Sequence, residues 1–160
     1  MVLLKFIITL NIILQTPAEV LINSGYNKYL DEDYSGAIED FTKASEIAPQ
    51  NEEIYYLRGV CKSNINEKAA AMVDYNRALK LNPNYAEVYY EKAYIYLQDQ
   101  NPIEAIKALD KVVELQPNMA AAYVSRGTAK CMMEDVDGAN KDWRRAKELG
   151  IDYSDLMICE

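Results

Sequence analysis

The sequence predicts an all-α fold built as a tandem array of helix pairs, and two observations lead to this prediction. A period of 34 residues aligns the chain from Ala18 onward without an insertion. Within each period the apolar residues follow the spacing of one helical face, twice in succession. Because two helices alone cannot bury these stripes, the pairs must stack, and the chain is long enough for four of them.

Six columns hold one kind of residue in phase when the rows begin at Ala18, Glu52, Ala86 and Ala120. In row order, the columns are Leu21, Tyr55, Tyr89 and Tyr123; Gly25, Gly59, Ala93 and Gly127; Ala37, Ala71, Ala105 and Ala139; Phe41, Tyr75, Leu109 and Trp143; Ala44, Ala78, Val112 and Ala146; and Pro49, Pro83, Pro117 and Ile151. Small residues in the second and third columns allow the two helices of a pair to approach closely. Large residues in the fourth column fill the space between rows.

Each row is expected to contain two helices joined by a short polar loop. Good N-cap side chains precede three of the second helices, at Asp33, Asn101 and Asp135. Glu67 holds that place in the second row and is a poorer cap, whereas Pro102 suits the first position of its helix. Prolines end the second helices of the first three rows.

Residues 1–17 form a segment of different composition ahead of the array. Lys5 precedes the apolar run 6–14, which is shorter than the ~20 residues of a membrane-spanning helix. This length suits a secretory signal, with a possible cleavage point at Thr16-Pro17-Ala18. Export would make the protein periplasmic or secreted. Two alternatives remain for this segment. It could be retained as a helix packed on the end of the array in a cytoplasmic or membrane-associated protein, or it could be an uncleaved tether that inserts shallowly into a membrane.

Composition excludes several functional classes. The formal net charge of -8 and the scattered basic residues argue against nucleic acid as a partner. Histidine is absent, which removes the commonest general base and metal ligand, and no glycine-rich phosphate-binding motif exists. Adjacent carboxylates such as Glu52 and Glu53 fall at helix starts, where they favour the helix dipole. We therefore expect no enzyme activity, no metal and no cofactor.

The three cysteines do not form a metal-binding pattern. Cys61 is expected to be a buried, inert thiol. Whether Cys131 and Cys159 pair in an exported protein is left open by the sequence.

These columns resemble the tetratricopeptide repeat family over residues 18–151, in rows 18–51, 52–85, 86–119 and 120–153, with a short C-terminal cap at 152–160. The resemblance implies a right-handed superhelical solenoid of antiparallel helix pairs. Two places of the row depart from the family pattern. The seventh place, usually leucine, holds Ser24, Arg58, Lys92 and Arg126, and the eleventh, usually tyrosine, holds Lys28, Lys62, Tyr96 and Lys130. We expect Arg58 and Arg126 to pair with Asp74 and Asp142 across their hairpins.

The resemblance also implies a concave groove lined by the first helix of each pair, which binds peptides or partner helices. Its candidate residues here are Ile22, Tyr26, Tyr29, Tyr56, Val60, Tyr90, Tyr94, Leu97, Val124 and Thr128. Acidic residues along one edge, Glu19, Glu53 and Glu87, favour a neutral to basic segment. The family's clamp for a C-terminal carboxylate is not matched, because Glu87 and Glu91 occupy its basic positions.

The expected function is therefore that of a scaffold or protein-interaction module that binds a peptide in a tyrosine-lined groove. The alternative is a non-enzymatic assembly factor that is membrane-tethered or forms homo-oligomers through the repeat ends.

Overall fold

The computed structural model describes residues 15–151 and residue 159, and every regular element within them is an α-helix. The helices are α1 Pro17–Leu30, α2 Tyr34–Ile47, α3 Glu52–Asn64, α4 Lys68–Leu81, α5 Ala86–Gln98, α6 Pro102–Leu115, α7 Ala120–Cys131 and α8 Val136–Glu148. Of the expected N-terminal signal at residues 1–17, residues 1–14 lie outside the described residues, as does the expected cap at 152–160 except Cys159.

The described helices fall into two compact units that divide between Asn82 and Pro83. In the first unit α1 packs on α2, α2 on α3, and α3 on α4. The second unit repeats this order with α5 to α8. The first helices of successive pairs also touch, α1 with α3 and α5 with α7. Short loops make the two helices of each pair antiparallel, and the predicted all-α architecture of stacked helix pairs is confirmed.

The caps of the second helices follow the prediction. Asp33, Asn101 and Asp135 each accept a hydrogen bond from the backbone N–H three residues further on, at 2.9, 3.4 and 3.0 Å respectively. Glu67 makes no side-chain cap bond. These side chains satisfy N–H groups that the first turn of a helix leaves without an internal partner.

The glycine column allows the close helix contact that its pattern predicts. A Cβ atom on Gly25 would lie 2.8 Å from Cε1 of Phe41, and one on Gly59 would lie 2.5 Å from Cε1 of Tyr75. Both aromatic rings are fully buried in the space that these glycines leave. The first and second helices of these pairs are therefore held together by an aromatic ring packed against bare backbone.

The tyrosines at the fourth place of the row fix the loop before their own helix. The hydroxyls of Tyr55, Tyr89 and Tyr123 each donate to the carbonyl of the proline six residues earlier, at 3.1 Å in all three cases. The ring packs on the helix pair while the phenol satisfies a loop carbonyl. This bond explains why tyrosine rather than phenylalanine holds this place in the last three rows.

Candidate functional site

In the first unit the predicted binding residues lie along one face of α1 and α3. Ile22 and Tyr29 are half-buried and pack against the core cluster of this unit. Tyr26 is 45% exposed, and its ring stacks on that of Tyr29 with centroids 6.2 Å apart. Tyr56 and Val60 of α3 are half-buried. Tyr26 therefore presents the largest exposed aromatic surface among these five residues.

In the second unit the equivalent residues lie on α5 and α7. Tyr90 is half-buried against the core cluster, and its hydroxyl lies 3.5 Å from Oγ of Ser125, which links α5 to α7. Tyr94 is 52% exposed. The hydroxyl of Thr128 donates to the carbonyl of Val124 at 3.1 Å. Leu97 and Val124 are half-buried, so Tyr94 is the exposed aromatic residue of this set.

Two of the three expected edge carboxylates already have partners in the chain. Glu19 accepts a hydrogen bond from the backbone N–H of Thr16 at 2.7 Å, as part of a capping box. Glu87 accepts one from Nε2 of Gln116 at 2.8 Å. Glu53 is exposed at the start of α3. Glu19 and Glu87 therefore also serve the fold, and Glu53 is the exposed carboxylate without such a bond among the three.

The predicted pair of Arg58 and Asp74 is confirmed and is part of a larger network. Nε and Nη2 of Arg58 donate to the two carboxylate oxygens at 2.9 and 2.7 Å, and Nζ of Lys62 donates at 2.7 Å. Nη1 of Arg58 also reaches back to the hydroxyls of Thr42 and Ser45 on α2, both at 3.2 Å. The arginine thus joins its own helix pair to the preceding one, which an apolar leucine would do through packing alone.

The same arrangement recurs in the second unit around Asp142, which is 3% exposed. Arg126 donates to its two oxygens at 2.8 and 2.6 Å, Lys130 donates at 2.7 Å, and Nη1 of Arg126 also bonds to Asp110 at 2.7 Å. Burial alone would raise the pKa of Asp142, but the hydrogen bonds from Arg126 and Lys130 lower it below its ordinary value.

A third network lies in the first row, where the sequence did not predict a pair. Asp40 accepts hydrogen bonds from Oγ of Ser24 at 2.6 Å and is 2.7 Å from Nζ of Lys28. Burial opposes ionisation of this carboxyl, yet Lys28 and Ser24 lower its pKa. Asp40 holds the same place of the row as Asp74 and Asp142, and this recurrence of aspartate could have predicted the network. The third row has Ala108 there.

The cysteines fall into two kinds. Cys131 and Cys159 form a disulfide with their Cα atoms 5.5 Å apart, which answers the question that the sequence left open. Cys61 is a free, buried thiol as expected, and burial raises its pKa to about 11.

None of the helices between residues 15 and 151 combines the length and the apolar character needed to cross a bilayer.

Comparisons with known proteins agree with the repeat pattern. Two tetratricopeptide repeat models match the sequence, at residues 52–85 and 74–107, and the first range coincides with the second row. A comparison with curated protein sequences gives no significant match.

Many solved structures are similar to this chain, and three of them are described here. The crystal structure of MamA is 30% identical, with a TM-score of 0.79 over 83% of this chain and 78% of that chain. The first TPR of Spaghetti (RPAP3), bound to the HSP90 peptide SRMEEVD, is 26% identical, with a TM-score of 0.71 over 73% of this chain and 93% of that one.

YrrB, described as a TPR protein with an unusual peptide-binding site, is 22% identical, with a TM-score of 0.74 over 86% of this chain and 71% of that one, which bears on the fold alone. The in-phase columns, the stacked helix pairs and the match to MamA over most of both chains agree, and the protein is a member of the tetratricopeptide repeat family.

Proposed function

We propose that this protein-interaction module holds a peptide segment of a partner protein against the first-helix face of its repeats. The observation that carries the proposal is the exposure of Tyr26 and Tyr94, which occupy the same ninth place in two rows. Core packing accounts for a buried tyrosine but not for rings that are about half exposed. Tyrosine offers large contact area with little loss of side-chain entropy, together with a hydroxyl for hydrogen bonding.

The neighbours of these tyrosines supply an apolar floor. Tyr26 is flanked on its helix by Ile22 and Tyr29, and Tyr94 is flanked by Tyr90 and Leu97, all half-buried. A rigid floor with a projecting aromatic ring is the arrangement that concentrates binding energy in a few contacts. The peptide-bound RPAP3 repeat supports a peptide partner for this chain as well.

The charge of the surface favours a neutral to basic segment. None of the ten candidate residues is a lysine or arginine, Glu53 is exposed at one edge, and the whole chain carries a net charge of -8. A basic segment would be attracted to such a surface and an acidic one repelled. The same surface holds no nucleophile with an adjacent base, which supports a function without catalysis.

Export is a further proposal, supported by the apolar run after Lys5 and by the disulfide, since disulfides persist in oxidising compartments. The intact mass of the protein from its native cell tests this proposal. A mass lacking roughly the first 18 residues is expected of a cleaved secretory signal, and a full-length mass would overturn it.

The alternative, self-association through the repeat ends, has one observation in its favour. Val20 and Leu30 of α1 are exposed, whereas Ile54, the counterpart of Val20 on α3, is fully buried among residues of α2. Analytical ultracentrifugation of wild type and Val20→Asp tests it. A wild-type monomer would remove this alternative.

The groove proposal is tested with peptides selected from a random library on the full chain. Tyr94→Ala should lower the affinity for the selected peptides by about tenfold or more, because truncating a central aromatic contact costs about 2 kcal/mol of binding free energy. Ile103→Ala is the matched control, since Ile103 is equally exposed at 52% but lies on α6, away from the proposed surface. The proposal would be contradicted if neither Tyr94→Ala nor Tyr26→Ala weakened binding of the selected peptides more than Ile103→Ala does.

Tyr90 requires a different substitution. Because its ring packs against the core and its hydroxyl lies beside Ser125, Tyr90→Ala would disturb the fold as well as the surface. Tyr90→Phe keeps the packing and removes only the hydroxyl, so any loss of affinity that it causes is attributable to that group.

A further inference from the structure

The outer faces of α6 and α8 occupy equivalent places in the third and fourth rows but differ in charge. On α6, Nζ of Lys107 lies 2.6 Å from Glu104, and Nζ of Lys111 lies 2.7 Å from Glu114. Asp110 lies between the two lysines and is exposed. The positive charges of this face are therefore balanced by carboxylates on the same helix.

On α8 two of those carboxylates are replaced. Gly138 stands at the place of Glu104, and Arg144 stands at the place of Asp110. Lys141 and Arg144 form no ion pair with any residue in the described part of the chain, and Nε of Arg144 donates to the carbonyl of Asn140 at 3.3 Å. Two cations on this face are thus available to an external anion.

These cations border a depression of about 410 Å³ between α7 and α8, which we call the α8 pocket. Its lining residues are Tyr123, Arg126, Lys141, Asp142, Arg144, Arg145 and Glu148. The guanidinium carbons of Arg126 and Arg145 lie 5.4 and 6.0 Å from the centroid of the Tyr123 ring. The lining has four cations against two carboxylates and includes no residue of the proposed binding surface.

We propose that the α8 pocket binds an acidic peptide segment, with carboxylates at Lys141 and Arg144 and apolar atoms against Tyr123. Arg126 is already committed to Asp142 and Asp110, and Arg145 lies 3.0 Å from Glu148, so neither is the main anion contact. The chain's net charge of -8 repels a long polyanion, which favours a short acidic segment over nucleic acid. This second surface is independent of the tyrosine face and selects the opposite charge.

The test uses the oxidised full chain and a fluorescein-labelled peptide of six glutamates, followed by fluorescence anisotropy. Lys141→Glu with Arg144→Glu should weaken binding by about tenfold or more, because both charge-assisted contacts become repulsive. Lys107→Glu with Lys111→Glu is the matched control, since it changes the net charge equally on α6, with Lys107 at the place of Lys141 and Lys111 at the place of Arg145. This control should change the affinity by less than about twofold.

Three results would overturn the proposal. The first is equal weakening by the two double variants, which would indicate a general electrostatic effect. The second is the absence of measurable binding to the wild-type chain. The third is equally tight binding of a single-stranded oligonucleotide of the same charge, which would indicate an unselective polyanion site. Circular dichroism of each variant confirms that the comparison is made between folded proteins.

Discussion

Replacing Asp142 by asparagine tests the charged framework that links the helix pairs. Asp142 is buried and accepts hydrogen bonds from Nε and Nη2 of Arg126 and from Nζ of Lys130, at 2.6 to 2.8 Å. Asparagine keeps the shape but removes the negative charge and offers a single acceptor oxygen. Two partly buried cations then face a neutral amide.

The expected loss of stability follows from these contacts. Removing one partner of a fully buried ion pair costs about 3–5 kcal/mol. Here the cost is lower, because the side chains of Arg126 and Lys130 are 15% and 20% exposed and Arg126 keeps its bond to Asp110. We therefore expect Asp142→Asn to lower the free energy of unfolding by about 2–3 kcal/mol.

Urea unfolding followed by circular dichroism measures this loss. Asp110→Asn is the control, since that carboxylate is 57% exposed and its pair with Arg126 should contribute less than about 1 kcal/mol. The double variant Arg126→Leu with Asp142→Ala should be more stable than Asp142→Ala alone, because no unpaired buried cation remains at place seven. An Asp142→Asn variant as stable as wild type would refute the reasoning.

Three further predictions concern pH, packing and thiols. The pKa of Asp142 is lower in the folded chain than its unfolded value of about 3.9, so its contribution to stability is present above that value and is lost as the pH falls through the folded pKa. In acid titrations, the free energy of unfolding of Asp142→Asn should therefore fall less below about pH 4 than that of the wild type. Gly59→Ala should lower the free energy of unfolding by about 1–3 kcal/mol in thermal melts, because the new Cβ meets the buried Tyr75 ring, and an unchanged melt would contradict this packing. Alkylation of the native chain should label no cysteine before reduction and Cys131 and Cys159 after it, with Cys61 reacting only on unfolding; rapid labelling of Cys61 would contradict its burial.

The helix pairs and their charged links could be predicted because a fixed period makes equivalent residues structurally equivalent. Once Gly25 and Phe41 are seen to recur together, the close helix contact follows for every row that keeps both residue types. The same logic gave the pairing of Arg58 with Asp74, since an arginine at the seventh place recurs together with an aspartate at the twenty-third. The columns therefore predicted contacts in which one side chain meets another.

The N-caps were predicted, but the backbone conformation of the loops between the helices and the side-chain bonds to loop carbonyls were not predictable from the columns. The loop residues Glu32, Asn66, Gln100 and Glu134 have φ of 60, 64, 53 and 61°, in the left-handed region that favours glycine. No glycine marks these places in the sequence. The bond from Tyr55 to the carbonyl of Pro49 was hidden for a similar reason, because a main-chain acceptor has no signature of its own.

The exposure of the candidate binding residues was only partly predictable from the sequence. Spacing placed Tyr90 and Tyr94 on one helical face, but exposure depends on the neighbouring helix. Ser125 on α7 lies beside the hydroxyl of Tyr90, which is half-buried, whereas Tyr94 is 52% exposed. The sequence thus predicts which residues share a helical face but not which of the tyrosines on that face are exposed.

Peptide binding on the first-helix face is tested most directly by amide chemical-shift mapping. The ¹⁵N-labelled full chain is titrated with a peptide selected from the random library. We expect the largest shifts on α1 and α3 around Tyr26, on α5 and α7 around Tyr94, or on both pairs, with α8 little affected. Shifts concentrated on the second helices, with α1, α3, α5 and α7 unchanged, would contradict the proposal.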